Sequence, residues 1–402
     1  MSEKLERFRF NRLEFAGSLG DLGTLLPLAI GMILVNHLNA TGLFFSIGLY
    51  FILSGIYFGV TVPVQPMKVI GAYSIAMGLT AHQVLASGLL MGVILLVIGA
   101  TGAMTLIGRY TPNSVVRGVQ LSTGTILMVQ GIKFMLGTSV YQALQQMAEP
   151  YLTVQSIVGL PIGIVIGVAG GILTLLFLDN KKIPAGTLVI LFGLLIGIFL
   201  NTREGWDQVG IGFHLPHFLP FGMPGAADFS LVLLMLVLPQ MPMTLGNAVI
   251  AYSDLSGEYF GGASHRVTYR AACISMGLAN LLAFVFGGMP LCHGAGGLAA
   301  HYRFGARTAG SNIIIGSIFI ILAVLLGAGA LVIFHLLPMA ILGVLLLFAG
   351  SQLAMTIQDL MSQKDMFVAL TMLGITLATN LAVAFIVGLA VAYALKWAKL
   401  NV

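Results

Sequence analysis

Apolar runs of roughly 17–25 residues recur from Leu13 almost to Lys399, the length a helix needs to cross a bilayer. Strand-type alternation is absent from these runs, so the pattern predicts helices and argues against a β-barrel. The first seven predicted segments are 13–36, 41–59, 62–79, 82–107, 115–137, 153–178 and 183–200. Seven more follow at 228–251, 267–286, 288–302, 308–333, 336–356, 365–379 and 381–398. The longest polar connection is 201–227, with Trp206, His214, His217 and several prolines, and it separates two halves, 1–200 and 228–402. The fold class is an all-α polytopic membrane protein.

The placement of charge tests this count, because cytoplasmic loops collect Lys and Arg. With both termini cytoplasmic, fourteen segments put all eighteen Lys and Arg inside except Arg203, Lys133 and Lys68. Seven segments per half is an odd number, so the second half runs through the membrane upside down relative to the first. The predicted architecture is a seven-plus-seven inverted repeat with 201–227 outside.

Segments three and ten break the apolar pattern at matching places. One reads VTVPVQPMKVIGAYSIAMG (60–78) and the other FGGMPLCHGAGGLAAHYRFG (286–305). Each opens with Pro-containing, extended residues and continues as a short helix-compatible run, starting near Pro66 and Gly294. Irregular backbone at membrane depth is tolerated only where it is buried in protein or lines a cavity. Paired interruptions in two halves point to a binding site at the bilayer midplane. Close helix packing is the competing reading of such Gly and Pro residues.

Two helix N-termini facing one another carry about half a positive charge each and suit an anion. The candidate substrate-binding residues are Gln65, Pro66, Met67 and Lys68 at one break, and Cys292, His293, Gly294, Ala295 and Gly296 at the other. Lys68 opposes the dipole of its own helix, so it either pairs with Asp21, adds positive charge beside an anion, or reaches for the interface. The first segment of each half contributes further polar groups: Gly20, Asp21 and Thr24 in GSLGDLGTLLP (17–27), and Gln240, Thr244 and Asn247 in LPQMPMTLGN (238–247). An intramembrane carboxylate is a functional candidate by default, which makes Asp21 a proton-coupling candidate. His293 is its rival as proton carrier.

Composition narrows the function classes. The chain is 58% hydrophobic and 8% charged, against about 25% charged in soluble domains. Its net charge of +5 is spread over loops and implies no nucleic-acid partner. Cys273 and Cys292 imply no disulfide framework, and Cys292-His293 without a Cys/His cluster implies no metal site. The glycine-rich stretch 294–307 lacks the Lys-Ser/Thr ending of a phosphate-binding loop. Clustered carboxylates, a metal quartet or a Ser-His pair are also missing, so neither an enzyme nor a cofactor is expected.

At PVQPMKVIGAYSIA (63–76), GGMPLCHGAGGLAAHYRFGAR (287–307) and GDLGTLLPL (20–28), the sequence resembles the molybdate transporter family, a branch related to the sulfate permeases. The resemblance implies fourteen helices in a seven-plus-seven inverted repeat. Helices one to four and eight to eleven would form a core that holds the substrate. Helices five to seven and twelve to fourteen would form a gate domain, often used for homodimerisation. Typical sulfate permeases carry a STAS domain after the last helix, and none is expected here, which fits the molybdate branch. The implied function is a secondary transporter importing molybdate, with sulfate or tungstate as related substrates and a proton as the co-transported ion. The alternatives are a nucleobase transporter of the same fold, disfavoured because Gln240 and His293 stand where acidic residues would be needed, and an oxyanion channel. Short loops favour a bacterial inner membrane.

Overall fold

The computed structural model describes residues 7–103, 112–157, 159–178, 180, 183–200 and 212–397. Lys4, Arg109, Lys181, Lys182, Arg203, Trp206 and Lys399, used above for topology, lie outside the described residues.

Each predicted segment contains a helix. Segment one is bent: α1 (Arg12–Ser18) and α2 (Leu22–Asn36) meet at 42° around Leu19–Asp21. Then come α3 (Ala40–Phe58), strand β1 (Gln65–Pro66) leading into α4 (Lys68–Met77), and α5 (Ala81–Thr101). The half closes with α6 (Asn113–Leu136), α7 (Ile162–Phe177) and α8 (Ala185–Phe199). A small hairpin, β2 (Ser156–Ile157) and β3 (Leu160–Pro161), occupies the start of segment six, where helix was expected.

The second half comprises α9 (Ala226–Ser264), α10 (Tyr269–Phe286), β4 (Leu291–Cys292) and α11 (Ala295–Arg303). It ends with α12 (Ala309–Leu326), α13 (Met339–Ala354), α14 (Gln363–Ala378) and α15 (Leu381–Trp397). α9 continues through most of the polar stretch 253–266, which the sequence pattern assigned to a loop. Its regular turns stop only at Gly261, whose φ of 53° a helix cannot contain. π-helical turns at Leu233–Val237 and Thr244–Ala251 flank Pro239 and Pro242, where missing N–H groups interrupt the ordinary ladder. By length and hydropathy, six helices among the described residues can cross a bilayer, or seven when the bent α1–α2 pair counts as one.

The most extensive helix contacts are α6 with α13, α3 with α12 and α5 with α10. Each crossing is made by facing glycines. A Cβ on Gly48 would lie 2.6 Å from the Gly316 oxygen, and one on Gly316 2.7 Å from the Gly48 oxygen. Gly92 and Gly277 repeat this reciprocal contact at 3.2 and 3.1 Å, and Gly124–Gly350 and Gly131–Gly343 do so between α6 and α13. Close backbone approach maximises van der Waals contact where lipid removes the hydrophobic drive between helices.

Strands β1 and β4 pair antiparallel at the centre, Gln65 opposite Cys292 and Pro66 opposite Leu291. Two buried asparagines complete the hydrogen bonding of these extended stretches. Asn280 donates to Leu291 O (2.8 Å) and accepts from Leu291 N (3.1 Å). Asn312 does the same for Val62, at 2.8 and 2.9 Å. The backbone groups of Val62 and Leu291 are thus satisfied without water.

Candidate functional site

The two breaks meet beside a cavity of about 470 Å³. Gly20, Asp21, Thr24, Gln65, Lys68, Asn247 and Gly296 line it, as anticipated from the sequence. Gln120, Thr174, Arg303, Gln352 and Thr356 also line it and were not singled out. These five stand near helix ends or within otherwise apolar helices. Only their isolation as polar residues could have marked them.

The bend in segment one brings the Asp21 carboxylate to the Gln65 amide, whose Nε2 donates to Asp21 Oδ2 at 2.6 Å. Gly297 makes room for the pair: a Cβ there would lie 2.7 Å from Asp21 Oδ2 and 2.8 Å from Gln65 Nε2. A Cβ on Gly294 would collide with Gln65 Oε1. These two glycines therefore serve the close approach of the polar pair to α11. Gln65 Oε1 is buried and, among the described residues, nothing donates to it. Lys68 is half-buried on the cavity wall and forms no ion pair with Asp21 within 4 Å, so the proposed pairing of the two is not made.

The two helix N-termini are not equivalent. At α4, Gln240 Oε1 accepts from Val69 N (3.0 Å) and Ile70 N (3.3 Å), while its Nε2 donates to Thr244 Oγ1 (2.9 Å). Gln240 and Thr244 thus cap a helix instead of lining the cavity, because the first-turn N–H groups of α4 need an acceptor. At α11 the N-cap is Gly294, which supplies no side-chain acceptor. Among the described residues, nothing accepts from the N–H groups of Ala295, Gly296 and Gly297. The positive end of α11 remains available beside the cavity.

Several anticipated site residues lie behind the wall. His293 is fully buried, its Nδ1 donating to Pro63 O (2.9 Å) and its Nε2 meeting Tyr50 Oη (2.8 Å) and Ser275 Oγ (3.1 Å). Its ring stacks on those of Tyr50 and Tyr252. Both nitrogens are engaged, which removes His293 as a proton carrier facing the substrate. Cys292 points its Sγ at Pro66 O (3.6 Å), and Pro66, Met67 and Ala295 shape backbone without lining the cavity. Strand alternation turns Pro66 away from the side that Gln65 faces, and His293 with it, since His293 follows Cys292, the cross-strand partner of Gln65.

Comparison with known proteins follows this geometry. A family model described as "Molybdate transporter of MFS superfamily" matches residues 13–127 and 232–353, which together hold both breaks. Molybdate transporter 2 of Arabidopsis thaliana is 32% identical, the match covering 92% of this chain and 84% of that one. The chain belongs to the molybdate transporter family. Molybdate transporter 1 of Chlamydomonas reinhardtii is 30% identical, over 94% of this chain and 90% of its own. Being plant and algal, these family members lend no support to a bacterial membrane. In fold, the chain matches the transmembrane domain of the cyanobacterial bicarbonate transporter BicA, with a TM-score of 0.63 at 15% identity over 95% of this chain and 97% of that one. It also matches the murine anion transporter Slc26a9, with a TM-score of 0.70 at 14% identity, covering 99% of this chain and 70% of that one. It is an integral membrane transporter of the fold those anion transporters share.

Proposed function

We propose that the protein is a secondary transporter for molybdate or a closely related tetrahedral oxyanion, held at the cavity between the two breaks. The single observation that carries this reading is the convergence on one cavity of the uncapped α11 N-terminus, the Lys68 ammonium and the Asp21–Gln65 pair. Lys68 supplies one positive charge and α11 about one half more. The capped α4 end adds little, so an ionised Asp21 would leave roughly +0.5 for a dianion. Protonating Asp21 restores about +1.5, which is the physical case for proton coupling.

The fourteen-span, inverted-repeat topology is part of the same proposal. It is supported by the pairing of helices: moving seven segments along the chain turns the α3–α12 contact into α10–α5, and α6–α13 into itself. The cavity runs to Arg303, Gln352, Thr356 and the Pro184–Gly186 turn, all at helix ends assigned to the cytoplasmic side. The site therefore faces inward in this reading.

Purified protein in liposomes, tested with radiolabelled molybdate under imposed proton gradients, is the decisive experiment. Saturable uptake, accelerated by an inward proton gradient and competed by tungstate, is expected. Conductance without saturation would replace the carrier by a channel. Saturable uptake indifferent to the gradient would remove the proton.

A further inference from the structure

His301 lies on α11 behind the cavity wall and is only 2% exposed. Its Nδ1 is 2.7 Å from the carbonyl oxygen of Gly17, at the end of α1. A carbonyl only accepts, so Nδ1 carries the hydrogen. Nε2 is then the acceptor nitrogen of a neutral ring, and among the described residues nothing donates to it. A buried polar atom left without a partner calls for a reason.

The position of that nitrogen supplies one. His301 follows Gly297 by four residues, so the two lie on one face of α11, a turn apart. The space at Gly297 is occupied by Asp21 Oδ2. The carboxylate and the vacant nitrogen therefore line the same helix face. Other titratable groups on the segments packed against α11 are Arg12 and Glu14 of α1, and Tyr252, Asp254, Glu258 and Tyr259 in the Thr244–Phe260 part of α9. Glu14 is occupied by the N–H groups of Arg307 and Thr308, and Asp254 by the Tyr269 hydroxyl. From α3, Phe51 presents an uncharged ring to His301. Asp21 is the carboxylate on the face of α11 that carries His301.

We propose that His301 Nε2 and the Asp21 carboxylate form one proton-binding unit, which takes a single proton from water as the oxyanion enters and releases it as the anion leaves. This rests on the proton-coupled reading above and adds the second member of the site. The proton is delivered by hydronium: one of its O–H bonds breaks as the new bond to a lone pair of the unit forms, and the reverse occurs on release. An imidazolium beside a carboxylate is neutral overall, which leaves Lys68 and the α11 N-terminus to balance the anion. His301 acts through Asp21 and is a positioning residue, since it does not touch the cavity.

The test is calorimetric titration of the purified full-length protein with molybdate from pH 5 to 8, in buffers of differing ionisation enthalpy. This gives both affinity and protons taken up per anion. His301→Gln keeps an amide donor for the Gly17 carbonyl but cannot titrate. It is expected to shift the pH midpoint of binding by at least about one unit, tenfold in proton concentration, and to lower the proton uptake. Asp21→Asn should move the same two readouts, and the double variant should go no further than the larger single shift. A folded His301→Gln with wild-type midpoint and uptake overturns the pair while leaving Asp21 as carrier. Additive shifts overturn the single unit. Wild-type protein that takes up no proton overturns the coupling itself. Should the variants not fold, wild-type protein carrying ¹⁵N-labelled histidine decides the matter. One ring should pass from neutral to doubly protonated when molybdate is added, and no ring doing so overturns the proposal.

Discussion

Gly294 and Gln65 show how much of the site depends on single atoms. The amide of Gln65 has its Nε2 on Asp21 and its Oε1 where a Gly294 side chain would be. Gln65→Ala removes the Asp21 partner, and Gly294→Ala drives the amide out of the same place. Both are expected to weaken molybdate binding about tenfold, near 1.4 kcal/mol, without preventing membrane insertion. Because they disturb one contact, the double variant should lose little more than either alone. Equilibrium binding on detergent-purified protein measures this. Unchanged affinity in a folded Gln65→Ala would place the anion elsewhere in the cavity. The polar character of Gln65 was legible in the sequence, but its hold on Asp21 was not. The two residues are 44 apart and meet only through the bend at Leu19–Asp21.

At the scale of elements, the structure relies on carboxylates that cap helices far away in sequence. Glu149, between α6 and α7, accepts from Met339 N (2.7 Å) and Ala340 N (2.8 Å), the first turn of α13. Burial pushes its carboxyl up to about 7 from 4.5, against the lowering effect of those two hydrogen bonds. A carboxyl that is raised on folding binds more protons in the folded state than in the unfolded one. Stability is then highest near pH 4.5 and declines as pH rises through about 7. Thermal unfolding in detergent should show a lower melting temperature at pH 8 than at pH 5. Glu149→Gln should flatten that slope, and an unchanged slope would assign it to another group. Nothing near Glu149 in the sequence announces this role, since a cap so remote requires the fold that creates it.

At the scale of the whole molecule, the proposal is a chain whose halves cross the bilayer in opposite senses. His217→Cys and His265→Cys place single reporters in exposed positions, while the native Cys273 and Cys292 are buried. A membrane-impermeant maleimide should label position 217 only from outside and position 265 only from inside. Labelling of both from one side would remove the inverted repeat. Thr356→Cys, on the cavity wall, should be reached from the inside and be protected by molybdate. Equal labelling with and without the anion would place the substrate path elsewhere.

The helical, membrane-embedded character of the chain was set by local composition, because a long run of apolar residues settles its fate within itself. The two interruptions were equally visible, since prolines and glycines announce non-helical backbone wherever they sit. What only the tertiary structure decided was which polar groups still had something to bind. Gln240 and His293 looked like ligands until Val69, Ile70, Pro63 and Tyr50 were found to satisfy them. His301 is one polar residue among several in the 286–305 stretch, and only the fold leaves one of its nitrogens unmet among the described residues. A hydrogen bond has two ends, and for buried groups the second end belongs to residues tens or hundreds of positions away.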